Sequence, residues 1–212
     1  MSRASPPLSV IAMTKERLKS PRARLFVALD LPNHVREGIV AWGRDELSDP
    51  ALRPVPRESL HITLAFLGYM PEREIEPLTE IVSGLEAPAP LVRLGDPAAK
   101  PSPKHPRLFA LPADSPDTVA LQGDLEELLV AQRLYKPEKR PFWPHVTVAR
   151  VKSEGRGSKR SRSVERPPGK LPAKLLSPVL GVRLTLYRSE LQPRGAHYTP
   201  LAQVELSEDG RQ

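Results

Sequence analysis

The chain has 212 residues, 39% of them hydrophobic, which is enough for one full domain with an apolar core and rules out a small cross-linked scaffold. It has no cysteine, which excludes disulfides, thiolate metal sites and a cysteine nucleophile. Its 26 prolines and 12 glycines stay below the share typical of disordered chains, so we expect a folded protein with many proline-bounded loops.

The net charge of +7 is concentrated in two segments. Residues 1–24 carry +5 and residues 151–174 carry +6, which leaves −4 for the rest of the chain. Basic segments attached to an acidic domain are typical of arms that contact a polyanion. Solvated basic runs are also common on protein surfaces, so charge alone leaves both interpretations open.

Residues 1–23 are predicted to be a basic, flexible leader. Their longest apolar run, residues 8–13, is shorter than the core of a secretory signal. No stretch of the chain approaches the length of a membrane span. We therefore expect a cytoplasmic protein that makes no contact with a membrane.

Strands and helices alternate in the first half of the chain, because apolar runs of strand length are followed by apolar positions at helical spacing. In chain order, the predicted elements are a strand at 24–30, a helix capped by Asn33, a strand at 60–68, a helix opening at Pro71, and a proline-rich loop at 87–106 around a short strand at 91–94.

The second half repeats this order. The predicted elements are a strand at 107–111, a helix capped by Ser115 with Leu121, Leu125, Leu128 and Leu129 facing inward, a strand at 143–151, and strands at 178–190 and 197–205 joined by a turn. We predict an α+β fold of two lobes with mainly antiparallel sheets, in one domain at 24–205, followed by a tail at 206–212.

Two predicted strands share the pattern His, aliphatic, Thr, aliphatic, Ala. It occurs at residues 61–65 and again at residues 145–149. Since side chains alternate along a strand, His61 and Thr63 point to one face, and so do His145 and Thr147. One such strand is more often structural than catalytic, but its duplication favours a shared cleft that holds two imidazoles and two hydroxyls.

Two imidazoles on either side of a phosphorus atom suit cleavage of a phosphodiester. One removes a proton from the attacking oxygen, while the other protonates the leaving oxygen. The threonine hydroxyls are placed to donate hydrogen bonds to the phosphate oxygens. A catalytic zinc site usually needs three protein ligands, and neither strand carries an acid beside its histidine, so we expect no metal and no cofactor.

The paired strands, together with Arg24-Leu-Phe-Val-Ala-Leu-Asp30 and Pro141-Phe-Trp-Pro144, resemble the two-histidine (2H) phosphoesterase superfamily, and within it the bacterial RNA 2′,3′-cyclic phosphodiesterases, also called 2′-5′ RNA ligases. The resemblance implies a bilobal fold with both motifs in a central cleft. It also implies metal-free opening of an RNA 2′,3′-cyclic phosphate to a 2′-phosphate, with His61 as proton donor and His145 as the base that activates water. Thr63 and Thr147 are then phosphate ligands.

Further residues are candidates for contacting RNA. The basic insert at 152–170 has the composition of a flexible loop, and because it follows the His145 strand we expect it to begin near the cleft and to bind substrate through Lys159, Arg160 and Arg162. Arg150 faces away in a regular strand and reaches the phosphate only if the strand bends. Phe142 and Trp143 are candidates to stack on a base.

Three alternatives stay open at this point. The first is an enzyme acting on small cyclic nucleotides. The second is a 2′-5′ RNA ligase working by the reverse reaction. The third is an RNA-binding module that keeps the cleft without turnover. In each case we expect a monomer.

Overall fold

The computed structural model of the protein describes residues 21–155, 157–158, 160–192 and 195–207. Most of the predicted leader and tail lie outside these residues. The strands are β1 (Arg22–Asp30), β2 (Leu52–Pro54), β3 (His61–Pro71), β4 (Leu91–Leu94), β5 (Ala98–Lys100), β6 (Leu108–Asp114), β7 (His145–Val151), β8 (Val179–Leu180), β9 (Arg183–Gln192) and β10 (Gly195–Glu205). The α-helices are α1 (Asn33–Glu46), α2 (Ile75–Gly84), α3 (Pro116–Ala131) and α4 (Ala173–Leu176).

The named strands pair antiparallel throughout, in the order β10-β9-β1-β3-β7-β6-β4-β8, with β2 added to β7 and β5 added to β6. This confirms the predicted α+β fold with antiparallel strands. The three-residue strands β2 and β5 were not predicted, because so few residues show no alternation of apolar and polar side chains.

Two groups of strands meet where β3 pairs with β7, at Ile62 and Val146. One group contains β1, β3, β9 and β10, and the other contains β2 and β4 to β8. The first group draws its strands from both the first and the last parts of the described chain. The sequence does not reveal this arrangement, because a strand's partner is set by long-range packing and not by its own residues.

Buried apolar side chains fill the space between the sheet and the helices. Leu25, Val27 and Leu29 of β1 are fully buried, and α2 packs Leu78 and Val82 into the same core. In α3, Leu121, Leu125 and Leu129 face inward as predicted, whereas Leu128 is 44% exposed. The prediction for Leu128 was wrong because that residue lies at the edge of the apolar stripe, where the helix turns toward solvent.

The two predicted helix caps have different outcomes. Ser115 caps α3, since its Oγ accepts a hydrogen bond of 3.0 Å from the backbone N–H of Thr118. Asn33 was wrongly predicted as a cap. Pro32 holds the cap position of α1, and Asn33 is the first helical residue, with its side chain bound to Arg36 instead.

The basic insert at 152–170 is not the free loop that its composition predicts. The backbone N–H groups of Glu165 and Arg166 each donate a hydrogen bond to the carboxylate of Asp49, at 2.9 and 2.8 Å. The N–H of Gly169 donates to Glu46 at 2.7 Å. Glu46 at the end of α1 and Asp49 just after the helix therefore hold the second half of the insert in place.

The insert also begins far from His145. His145 opens β7 and Lys152 follows its last residue, so at ~3.3 Å per residue the two are about 20 Å apart. The insert was expected to begin near the cleft, and its first residue follows Arg150 by two positions, whereas His145 lies at the opposite end of β7. Among the described helices, none is long and apolar enough to cross a membrane.

Candidate active site

The two repeated motifs meet at one cross-strand pair. Ile62 of β3 lies directly opposite Val146 of β7, and the strands are antiparallel. The residue before Ile62 therefore lies opposite the residue after Val146, which places His61 across from Thr147 and, by the same rule, Thr63 across from His145. Each histidine faces the threonine of the other motif, as expected for a local two-fold axis through this pair.

Both motif strands contain a bulge at the residue that follows the threonine. The register between β1 and β3 shifts so that Leu64 is skipped, and the register between β6 and β7 shifts so that Val148 is skipped. The extra residue reverses the alternation beyond it. Consequently Phe66 and Arg150, both exposed, lie on the same face as the histidines and threonines. The bend that Arg150 required is therefore present.

An aromatic cage surrounds the imidazole of His61. Its ring stacks on Phe26 at 5.1 Å between ring centroids and on Tyr187 at 5.7 Å, and Tyr198 lies at 5.6 Å. The side chain is buried, and its Nδ1 atom has no hydrogen-bond partner in the described structure. The cage fixes the plane of the ring by packing.

A buried carboxylate lies beside this cage. Asp30, the cross-strand partner of His61, is 1% exposed. Its oxygens accept hydrogen bonds from Arg183 Nε at 2.8 Å, Thr185 Oγ1 at 2.9 Å and the Tyr187 hydroxyl at 3.0 Å. Because Arg183 compensates its charge, Asp30 is tolerated in the interior as an anion.

His145 is held differently. Its Nδ1 atom lies 2.7 Å from the backbone oxygen of Trp143, and since a carbonyl only accepts, Nδ1 carries the proton. The other ring nitrogen, Nε2, then presents a lone pair. The imidazole stacks on the Trp143 ring at 4.3 Å, and Lys100 Nζ lies 4.1 Å from the centroid of the same ring.

Burial favours the neutral form of both histidines in the free protein, but their neighbours differ in charge. Burial lowers the pKa of His61 to about 4, while Asp30 acts to raise it and the charges of Arg36 and His145 lower it. Burial also lowers the pKa of His145, where the hydrogen bond to Trp143 raises it and the charges of Lys100 and Arg150 lower it. Asp30 thus favours protonation of His61 against burial and the charges of Arg36 and His145, whereas at His145 the neighbouring charges of Lys100 and Arg150 both favour the neutral ring.

Thr63 and His145 line one cavity of about 500 Å³ together with Phe66, Phe142 and Trp143. Both threonines are half-buried, so their hydroxyls are accessible to a bound group. This cavity therefore holds the predicted base, one hydroxyl and the aromatic residues, while His61 and Thr147 adjoin it through the strand pairing of Ile62 with Val146. Trp143 already contacts His145 and Lys100, which gives this ring a part in holding the histidine.

The predicted arginines of the insert lie elsewhere. Arg160 and Arg162 line a separate cavity of about 750 Å³ with Lys104 and Arg107. Lys159 lies outside the described residues. The described part of the insert therefore contributes to a basic groove at the other end of β7, and none of its described residues lines the cavity that contains His145.

Sequence reasoning missed the residues that surround His61. Asp30 was assigned only to the end of a strand, and Tyr187 and Tyr198 only to the last two strands. The one available signal was Asp30 itself, a charged residue that ends an otherwise apolar run. Its position opposite His61 depends on strand register, which the sequence does not show.

The described residues contain no group of three or more His, Asp or Glu side chains placed to hold a metal ion.

The fold and the paired histidine and threonine residues define a two-lobed phosphoesterase-like protein. The chain belongs to the 2′-5′ RNA ligase superfamily, whose family profile matches residues 31–169. The family resemblance inferred from the sequence is thereby confirmed.

Particular relatives match over nearly the whole chain. The RNA 2′,3′-cyclic phosphodiesterase of Thermus thermophilus is 33% identical, covering 89% of this chain and 93% of the relative. The enzyme of the same name from Escherichia coli is 30% identical, covering 87% and 97%. The crystal structure of Escherichia coli LigT complexed with 3′-AMP superposes with a TM-score of 0.66 at 27% identity, covering 88% of this chain and 99% of LigT.

Proposed function

We propose that the protein hydrolyses RNA 2′,3′-cyclic phosphate ends to 2′-phosphomonoesters by metal-independent acid and base catalysis. The observation that carries the proposal is the pairing of Ile62 with Val146, which sets each histidine opposite the other motif's threonine. The names of the relatives from Thermus thermophilus and Escherichia coli support the same substrate.

His145 is the general base. Its Nδ1 proton is committed to the Trp143 carbonyl, so Nε2 is free to accept a proton from water. Nearby Lys100 and Arg150 favour the neutral ring, which is the form that a base requires. The water oxygen then attacks phosphorus as its proton moves to Nε2.

His61 is the general acid. In the free protein its low pKa keeps it neutral, so it gains its proton when an anionic phosphate enters the cleft and, together with Asp30, favours the imidazolium. As the bond between phosphorus and the 3′ oxygen breaks, His61 gives this proton to the 3′ oxygen. The products are a 2′-phosphate and a free 3′-hydroxyl, and proton transfer in the reverse direction through solvent restores both rings.

Thr63 and Thr147 donate hydrogen bonds to the non-bridging phosphate oxygens, where negative charge increases in the transition state. Arg150 reaches the same face through the bulge in β7 and adds a positive charge. Phe142 and Trp143 line the same side of the cleft as His145 and remain candidates to contact the terminal base. Arg160 and Arg162 are candidates to bind more distant RNA phosphates. The protein acts as a monomer.

The test is to incubate an oligoribonucleotide ending in a 2′,3′-cyclic phosphate with the protein in EDTA and to identify the product by ³¹P NMR. A 2′-phosphate is expected, with no loss of rate in the chelator. A 3′-phosphate would reverse the assigned leaving group, and activity restored only by added zinc would contradict metal independence. Adding an acceptor with a 5′-hydroxyl detects ligation, and absence of any conversion would indicate a binding module.

A further inference from the structure

A second cavity of about 520 Å³ lies next to the cleft and contains three arginines. Arg24, Arg53 and Arg150 line it, with Glu58 as the acidic residue among the lining side chains. Arg53 and Arg150 form no ion pair within the described residues. The cavity, called here the arginine cavity, therefore has an excess of positive charge.

Two of these arginines lie directly opposite each other, so their positive charges repel. Arg53 of β2 is the direct cross-strand partner of Arg150 of β7. Directly opposite residues of an antiparallel pair share a face, and like charges in this arrangement repel each other. Since Arg150 lies on the face of the histidines, Arg53 does too. An anion bound between the two guanidinium groups would remove the repulsion.

Arg24 is held in place as the third member. Its Nη1 atom donates a hydrogen bond of 2.6 Å to Ser189 Oγ, and its guanidinium lies 4.6 Å from the centroid of the Phe66 ring. A guanidinium fixed on an aromatic ring loses less conformational entropy when it binds an anion. The arginine cavity is thus partly organised before any ligand enters.

A single residue, Tyr198, separates the arginine cavity from His61. Tyr198 forms part of its wall and also lies against the His61 ring. Along β7, Arg150 follows Thr147 at about 7 to 10 Å. This separation is comparable with the spacing of neighbouring phosphates in an extended RNA strand.

We infer that the arginine cavity binds the phosphate on the 5′ side of the terminal nucleotide while its 2′,3′-cyclic phosphate lies between the histidines. This inference rests on the proposed function and extends it by naming the part of the substrate that is bound outside the reacting centre. Arg53 is the residue that distinguishes the two phosphates, because Arg150 also adjoins the reacting one. The subsite makes a nucleotide with a 5′-phosphate a better substrate than one that ends in a 5′-hydroxyl.

The experiment compares adenosine 2′,3′-cyclic phosphate with its 5′-phosphorylated form. The readout is the ratio of kcat/KM for the two nucleotides, which we expect to exceed one in the natural protein and to fall about tenfold in Arg53→Gln, the loss of one charge-assisted hydrogen bond. A ratio in Arg53→Gln equal to that of the natural protein would overturn the subsite.

Arg57→Gln is the matched control. It removes the same charge four residues away, but Arg57 is directed at Glu37, 3.4 Å away, and does not line the arginine cavity. Its ratio and its activity on both nucleotides are expected to equal those of the natural protein. An equal fall of the ratio in both variants would show a general effect of net charge and would overturn the assignment to Arg53.

Binding separates this inference from the proposed function. Calorimetry with adenosine 3′,5′-bisphosphate and adenosine 3′-monophosphate needs no turnover. Tighter binding of the bisphosphate that is lost in Arg53→Gln and kept in Arg57→Gln supports the subsite even if neither cyclic nucleotide is hydrolysed, an outcome that would contradict only the proposed function. Equal affinities for the two ligands would overturn the subsite whether or not hydrolysis occurs.

Discussion

Phe66 and Arg150 occupy equivalent positions in the two repeated strands, each three residues after the motif threonine and each turned to the cleft by a bulge. One is an apolar ring and the other is a cation. The cleft is therefore symmetric in its histidines and threonines but not in its charges. Lys100 and Arg150 act on His145, whereas His61 has an anionic neighbour, Asp30, as well as the cationic Arg36, so the two histidines are not interchangeable.

Replacing either histidine by alanine is expected to reduce kcat by about 10²- to 10⁴-fold, because each substitution removes a proton-transfer group. The measurement is the rate of cyclic phosphate opening, with circular dichroism as the control for folding. Turnover near that of the natural protein in a folded His61→Ala or His145→Ala variant would rule out the two-histidine mechanism.

The pH dependence of kcat is expected to be bell-shaped, since one imidazole must be neutral and the other protonated. The profile of kcat/KM should be centred at lower pH than that of kcat. Burial lowers both histidine pKa values in the free protein, and a bound phosphate anion raises them in the complex. Profiles with the same centre would contradict this coupling between substrate charge and protonation.

His61 should also make the protein less stable in mild acid. Its pKa is near 6.5 when unfolded and about 4 when folded, so the unfolded chain binds more protons between these values. The free energy of unfolding should therefore fall by about 3 kcal/mol as the pH drops from 6.5 to 4. Urea titrations of His61→Phe, which keeps a ring in the aromatic cage, should lack this part of the decline. The same decline in the natural protein and in His61→Phe would disprove the contribution of His61.

Thr63→Val and Thr147→Val keep the branched shape of the side chain and remove only the hydroxyl. Loss of a hydrogen bond to a charged phosphate is expected to lower kcat by about 10- to 100-fold in each variant. Both should unfold at the same temperature as the natural protein, because each threonine is half-buried and its methyl group is retained. Unchanged kinetics in both variants would leave the threonines with a structural role only.

Arg160 and Arg162 line a basic groove about one strand length from the histidines, so their removal should affect long RNA alone. In a variant with both changed to glutamine, the salt dependence of oligonucleotide binding should flatten by up to about 1.4 units on a log-log plot, at ~0.7 per phosphate contact. Hydrolysis of a cyclic mononucleotide is measured for comparison and is expected to be unchanged. Equal losses on both substrates would mean that the groove shapes the active site.

Asp49 should stabilise the attachment of the insert. Three backbone N–H groups, those of Ala51, Glu165 and Arg166, donate to its carboxylate, and these bonds lower its pKa. Asp49→Ala is expected to reduce the free energy of unfolding by about 1 to 3 kcal/mol, measured in urea at neutral pH. The stabilisation is present above the ordinary aspartate pKa and is lost as the pH falls through the lower folded value. Asp45→Ala, a nearby change with the same loss of charge, is the control.

The two pairs of histidine and threonine could be predicted from the sequence because their pattern depends only on alternation within one strand. His61, Thr63, His145 and Thr147 each followed from that rule. Arg150 could not be placed, since the bulge at Val148 depends on pairing with β6. Arg53 was missed for the same reason, because its partner is known only once β2 is seen beside β7.

For the insert, the sequence predicts too much mobility. Its glycine, proline and charged residues predict a mobile loop, and that prediction considers only the residues of the insert. Asp49 and Glu46, which bind its backbone, are more than 100 residues earlier in the chain. Composition describes how a segment behaves alone, and it does not show which distant side chains form hydrogen bonds with its backbone.

The strand order has a consequence for how the protein becomes active during its synthesis. The strands β4 to β7 are consecutive in the chain, so the part of the sheet that carries His145 can pair while the ribosome is still working. The cage around His61 needs Tyr187 of β9 and Tyr198 of β10, which are translated after both motif strands. If the proposed function holds, a nascent chain that already contains both motifs is expected to stay inactive until these two strands emerge from the ribosome.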